Sequence, residues 1–284
     1  MVESDCQIVG VYTQPAKAAG RGKKVQMGAL GLYASQQGLP LFCPKNFSSE
    51  NDMDQLRKLE ADLIVVVSYG LILPDEVLNI PGLGCFNIHA SLLPRWRGAA
   101  PIQRAILAHD KQTGICVIKM TKSLDSGPIV AHQEITIDSR ETFGSLHLKL
   151  SEIGSNIIVP VIKNVKKLDY LEQSAEGILY ASKIEKIETR INWNDKVKNI
   201  DARIRAFSPS PGAWCLVNGE RVKILESSYT YGNGKPGFVI DSNFRISAVD
   251  GVITPLKVQR SGKSIMRTIE FLRGFNILPG TILE

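Results

Sequence analysis

The chain has 284 residues, 44% of them apolar, with a formal net charge of +6 and a mean hydropathy of -0.01, which describes a soluble globular protein long enough for two modest domains. Its longest apolar run, near Leu63–Val67, falls far short of the about 18 residues of a membrane span, and no basic segment followed by an apolar one opens the chain, so neither a span nor a signal peptide is expected and a cytoplasmic location is. The five cysteines are odd in number and never in C-x-x-C spacing, which fits reduced thiols and implies no metal. Residues 188–284 carry 14 Lys and Arg against 9 Asp and Glu, so the C-terminal part holds most of the basic excess and raises the expectation of a polyanionic partner.

Ile8–Tyr12 is apolar and β-branched and predicts a buried strand. It comes only a few residues after Met1, where an α/β domain would have placed a strand and a helix first, and Met1–Cys6 reads as the tail of a helix. Lys17–Lys24 follows as an exposed basic loop, with Lys17, Arg21, Lys23 and Lys24 as cations and glycines that let the backbone wrap a phosphate chain. The G-x-x-x-x-G-K-[ST] spacing of a P-loop is absent. Helices are expected at Leu30–Gln37 and Asp52–Ala61, and strands at Leu39–Phe42 and Leu63–Tyr69. A short helix at Val77–Ile80 leads into the stretch Cys85–Gln103, where polar chemistry gathers against an apolar strand.

Asn87 and His89 are two residues apart in that strand, so their side chains point to one face. A strand end whose Asn and His only satisfy nearby backbone groups would look the same. Pro101 suits the first turn of a helix through Leu107, Ile115–Met120 and Ile129–Ile137 read as strands, and Leu124–Gly127 is the turn between them, carrying Asp125. From Thr142 to Val161 apolar residues recur every three or four positions, predicting one long helix that Pro160 should kink or interrupt. Residues 169–187 read as a linker between a first domain, 1–168, and a second, 188–284. There a helix at Asp195–Phe207 precedes short β-rich runs at Ala213–Val217, Val222–Leu225, Gly237–Ile240, Phe244–Ala248 and Val252–Val258, the pattern of a small antiparallel barrel.

Asn87, His89 and Asp125 are expected together at the C-terminal edge of one parallel sheet. An imidazole held by a carboxylate and an adjacent amide that donates to an oxyanion suit acyl transfer through a tetrahedral intermediate, which needs no Ser or Cys nucleophile if the acceptor is itself an amine. Ser91 lacks a G-x-S-x-G elbow, and Cys85 reads as a buried small apolar residue, so neither is the expected nucleophile.

The run Ser91–Gln103, preceded by Asn87-Ile-His89 and followed by Leu124-Asp125-Ser-Gly127, resembles the folate-dependent formyltransferases. R-W-R-G-A-A-P-I-Q in particular resembles the methionyl-tRNA formyltransferase family, and Tyr69–Pro74, Ile204–Phe207 and Gly262–Met266 extend the likeness. The resemblance implies a doubly wound, mostly parallel, Rossmann-like α/β domain followed by an OB-like β-barrel. It also implies transfer of the formyl group of 10-formyltetrahydrofolate, without a metal, to the amine of initiator methionyl-tRNA by a monomer in a bacterial cytoplasm or organellar matrix. By resemblance Asn87 and His89 polarise the formyl oxygen, Asp125 holds His89 and moves the proton, Ser91, Leu92, Leu93 and Pro94 line the folate pocket, and Lys17, Arg21, Lys23 and Lys24 meet the tRNA. Relative to the family pattern the first strand and helix are missing, which predicts unpaired edges where a central strand would lie and leaves open a longer native chain or an impaired form that only binds tRNA. A folate-dependent formyltransferase for an amino sugar or nucleotide amine is the other reading.

Overall fold

Short apolar runs bounded by left-handed turns set the elements of the computed structural model, which describes residues 1–19 and 24–283. In chain order these are β1 (Val11–Tyr12), β2 (Lys17–Ala19), β3 (Lys24–Gln26), α1 (Ala29–Gln36), β4 (Leu41–Phe42), α2 (Glu50–Arg57), β5 (Ile64–Val66), α3 (Asp75–Leu78), β6 (Cys85–His89), β7 (Arg97–Gly98) and α4 (Pro101–Leu107). There follow β8 (Gln112–Lys119), β9 (Ile129–Thr136), α5 (Phe143–Lys163), β10 (Tyr180–Ala181), α6 (Val197–Phe207), β11 (Ala213–Val217), β12 (Glu220–Tyr231), β13 (Ile246–Ala248), β14 (Gly251–Arg260), β15 (Met266–Arg267) and α7 (Thr268–Gly274). Among the described residues no helix is long and apolar enough to cross a membrane. The chain divides into two compact units, one of Met1–Ala99, Gly114–Glu134 and Ser151–Tyr180, the other of Ala100–Thr113, Ile135–Leu150 and Ala181–Glu284.

In the first unit β1 pairs with β4 in parallel, and a separate sheet has the order β5-β6-β8-β9. β5 and β6 are parallel with Val66 beside Asn87, whereas β6 and β8 are antiparallel with His89 beside Cys116. The sheet is therefore mixed, a direction that a continuously buried strand such as β8 does not encode in its composition. β1 and β5 each have one hydrogen-bonded neighbour among the described residues, so both sheets carry the expected unpaired edge. One apolar cluster, Phe47, Met53, Leu56 and Val77, packs against both Tyr12 of β1 and Ile64 of β5. A second forms where Phe86 and Val117 of the larger sheet meet Ile158 and Val161 of α5.

Several predicted elements are shorter than their apolar runs. The chain leaves β5 at Ser68, whose φ is 46°, and turns again at Gly70, so the expected strand to Tyr69 stops at Val66. α5 runs through Pro160 to Lys163 instead of ending at it, because Pro160 lies on the exposed face, where the carbonyl that loses its partner can meet water.

In the second unit the expected antiparallel barrel is a five-stranded sheet, with the path β11-β12-β14-β13 and β15 added to β14. Buried Ile200, Ile204 and Phe207 of α6 pack over β12, whose inward residues include Val222 and Ile224. β12 extends six residues beyond the predicted Val222–Leu225, to Tyr231. Register shifts around Glu226 break the alternation, and its distal half is polar, with Ser227 Oγ donating to buried Asp201 at 2.9 Å. Gly237–Ile240 is not a strand of the sheet but makes isolated bridges, Phe238 to Ile282 and Val239 to Ile246.

The cysteines report this packing. Cys85, Cys116 and Cys215 are buried, and burial pushes their thiols up to about 12, 11 and 12 respectively, while Cys43 is exposed. At pH 8 the three buried groups stay protonated and shielded, so an aromatic disulfide reagent is expected to label Cys43 rapidly and these three only after denaturant is added, as followed by mass spectrometry.

Candidate active site

Strand alternation in β6 sends Asn87 and His89 to one face, as the spacing predicts, and Asp125 meets them there. Asn87 Nδ2 donates to Asp125 Oδ1 at 3.1 Å, the backbone N–H of Gly98 donates to Oδ2 at 2.8 Å, and His89 Nδ1 lies 3.5 Å from Oδ2. The side chains of His89 and Asp125 are 6% and 13% exposed, so these contacts act in surroundings with little water to compete. On its far side His89 Nε2 is 2.8 Å from the carbonyl oxygen of Trp96. A carbonyl only accepts, so Nε2 carries a proton in this arrangement. Asn87 keeps a second amide hydrogen beyond the one given to Asp125.

Asp125 does not reach the pair from the C-terminal edge of a parallel strand, as expected from the sequence. β8 runs antiparallel to β6, so its C-terminal end lies beside Cys85, where Met120 N donates to the Cys85 carbonyl at 2.8 Å. The loop after β8 must then fold back along β6, and Asp125 does this in the left-handed region, at φ 46°, which Asp tolerates better than most residues. Lys119 N closes the loop on the Pro128 carbonyl at 3.0 Å.

The four expected pocket residues divide. Ser91 is 1% exposed with its hydroxyl donating to the Arg95 carbonyl at 2.6 Å, and Leu93 is buried with Cys116, Ile118 and Ile129. Leu92 and Pro94 are partly exposed. Of the expected RNA contacts, Arg21, Lys23 and the side chain of Lys24 lie outside the described residues. Lys17 is exposed on β2, and its Nζ donates to Gln14 Oε1, whose own amide donates to the Tyr69 carbonyl at 2.8 Å. Among the described residues no group of three or more His, Cys, Asp or Glu is arranged to hold a metal ion.

Three contributors carry no signal in the sequence. The Gly98 N–H and the Trp96 carbonyl act through backbone atoms, to which no residue identity points. Gln173 lies in the stretch read as linker, yet its side-chain amide donates to the carbonyls of Asp125 and Gly127, both at 2.8 Å.

Comparison with known proteins agrees with this layout. Residues 2–162 match the model of the formyl transferase family and residues 183–276 that of the formyl transferase C-terminal domain. The chain belongs to the formyl transferase family. A methionyl-tRNA formyltransferase of Paracoccus denitrificans is 47% identical over 268 residues, covering 94% of this chain and 90% of the relative. One of Paramagnetospirillum magneticum is 42% identical over 286 residues, covering 100% of this chain and 94% of its own. Two solved structures share the fold. The N-formyltransferase from Helicobacter canadensis, in complex with folinic acid and dTDP-3-aminofucose, has a TM-score of 0.64 at 19% identity over 86% of this chain and 87% of its own. HypX from Aquifex aeolicus, in complex with tetrahydrofolic acid, has a TM-score of 0.62 at 17% identity over 84% and 43%.

The Asp125 loop leaves no room at Gly127, where a Cβ would lie 1.8 Å from the Lys119 carbonyl oxygen. That neighbour is backbone, so Gly127→Ala is expected to push the formyltransferase loop off β8 and lower the free energy of unfolding by about 1–3 kcal/mol in urea titration.

Proposed function

We propose that this formyltransferase moves the formyl group of 10-formyltetrahydrofolate to the α-amino group of methionyl initiator tRNA, for translation initiation. The observation that carries the residue roles is the Asp125 carboxylate, held between the Asn87 amide and the Gly98 N–H beside buried His89. The acceptor reading follows the activity named for relatives that are alike over nearly the whole chain.

The amine attacks the formyl carbon, and the carbonyl oxygen takes negative charge. The remaining hydrogen of Asn87 donates to that oxyanion, and the His89 ring adds a second donor only as imidazolium, through Nδ1, because its Nε2 hydrogen is held by the Trp96 carbonyl. His89 Nδ1 sits at a loose 3.5 Å from Oδ2, and such a contact tightens or exchanges once substrate enters. Asp125 takes one proton from the attacking nitrogen. The bond from the formyl carbon to the folate nitrogen then breaks, and that nitrogen leaves as N–H, so one proton is lost by the amine and one gained by tetrahydrofolate. No nucleophilic side chain is required, which accords with the buried thiol of Cys85, pushed up to about 12.

Leu92 and Pro94 form the exposed part of the folate wall, with Ser91 and Leu93 shaping it from within. Residues 1–168 act as the catalytic domain, 169–187 as the connector and 188–284 as the tRNA-binding domain of a monomer working in a bacterial cytoplasm or organellar matrix. In that last domain Trp214 is flanked by Arg221, with Cζ 3.8 Å from the ring centroid, and Arg190 at 5.7 Å, cations suited to phosphate. Lys17, Arg21, Lys23 and Lys24 supply a second basic contact.

The test is formylation of methionyl-tRNA by the purified chain. Asp125→Ala, His89→Ala and Asn87→Ala are each expected to lower kcat by about 100-fold or more. Arg21→Ala should raise KM for tRNA and leave KM for the folate unchanged, and affinity for tRNA should fall at least about tenfold between roughly 50 and 200 mM salt. Activity on a free amino sugar or nucleotide amine without activity on methionyl-tRNA would overturn the acceptor assignment.

A further inference from the structure

Gln173 spends its whole amide on two elements of the candidate site. Its Nε2 hydrogens go to the carbonyls of Asp125 and Gly127, each at 2.8 Å, and its Oε1 accepts from Arg97 Nε at 3.0 Å and Nη2 at 2.6 Å. The guanidinium can only donate and the two carbonyls can only accept, so the opposite amide orientation would set like against like at every contact. Arg97 is 8% exposed, and a buried cation needs such a partner. Around this side chain the main chain is also tied down. Ile129 and Leu171 exchange both N–H to carbonyl bonds, at 2.8 and 2.9 Å, and Arg97 N donates to the Leu179 carbonyl at 2.9 Å.

The two carbonyls held by Gln173 flank the turn in which Asp125 takes its left-handed conformation. The same Arg97 that Gln173 engages stands immediately before Gly98, whose N–H holds the Asp125 carboxylate. One amide thus fixes the backbone beneath the carboxylate and the backbone that supplies its hydrogen-bond donor. We propose that Gln173 is a positioning residue for formyl transfer, holding Asp125 where it meets Asn87, Gly98 and His89. This rests on the proposed function, in which Asp125 takes the proton of the attacking amine. A displacement of about 1 Å of a group that must meet the attacking amine costs on the order of 100-fold in rate.

The experiment compares wild type with Gln173→Glu, Gln173→Leu, Asp125→Ala and the double variant Gln173→Leu with Asp125→Ala. Gln173→Glu keeps length and an acceptor for Arg97 but turns an oxygen toward both carbonyls. Two readouts are taken: kcat and KM for methionyl-tRNA formylation, and amide hydrogen exchange at Gly98 with the Ile129 amide as internal reference. Both Gln173 variants are expected to lower kcat by about 10–100-fold with KM changed less than about twofold, and to speed Gly98 exchange by about tenfold while Ile129 stays protected. The double variant should be no slower than Asp125→Ala alone, because Gln173 acts through Asp125. Losses that multiply in the double variant, or Gly98 exchange unchanged in Gln173→Glu, would overturn the proposal. Should Gln173→Leu fail to fold, Gln173→Glu decides by the same two readouts. A wild-type chain that does not formylate methionyl-tRNA would instead count against the proposed function, with Gly98 exchange still deciding whether Gln173 holds the turn.

Discussion

A carboxylate shielded from water must be met by donors, and the placement of Asp125 is the constraint on which the rest of the first unit depends. Its two oxygens take hydrogen bonds from a side-chain amide on β6 and from a backbone N–H in the segment after it, with an imidazole at slightly longer range. Neither donor is local in sequence to Asp125. The sheet has to bring β6 and β8 side by side, and the loop after β8 has to turn back along β6, before the carboxylate can be satisfied. The apolar packing of Phe86 and Val117 against α5 is what holds the two strands in that register.

Much of this was legible in the sequence wherever a periodicity carried it. The alternation of Cys85–His89 placed Asn87 and His89 on one face, and the three-to-four spacing from Thr142 marked α5, although Pro160 does not end it. The strand directions were not legible, because a strand buried on both faces reads the same in either orientation, and that is why the expected common edge of Asn87, His89 and Asp125 was misplaced. The distal half of β12 was hidden for the opposite reason. Glu226, Ser227, Ser228 and Thr230 are polar residues that a strand accepts only because a register shift re-aims them and because Asp201 takes the Ser227 hydroxyl. Gln173 was invisible because its partners are carbonyls and a guanidinium far away in the chain, while its own neighbours look like linker.

The split of the parallel region into β4-β1 and β5-β6-β8-β9 leaves β6, the strand of the candidate site, one strand away from an edge. β6 is nevertheless paired on both sides, to β5 and to β8, so Asn87 and His89 stand on a strand whose hydrogen bonding does not depend on that edge. The cost falls on β5, where Val67 is 56% exposed just past the strand end. The geometry of the candidate site is thus insulated from the least supported part of the sheet.

The segment R-W-R-G, which carried the family resemblance, acquires a physical account residue by residue. Trp96 sits at φ 65°, a conformation an aromatic residue adopts at a cost, and in it the Trp96 carbonyl meets His89 Nε2. Arg97 turns its guanidinium to Gln173. Gly98, at φ 114°, takes a backbone angle closed to residues with a Cβ and thereby aims its N–H at Asp125. Three consecutive residues therefore contribute an acceptor, a cation and a donor to three different partners, two of them through the main chain. Only the glycine is demanded by its own backbone angle; the tryptophan and arginine are specified by what surrounds them, so the motif is understood only with the loop of Asp125 and the connector of Gln173 in place beside it.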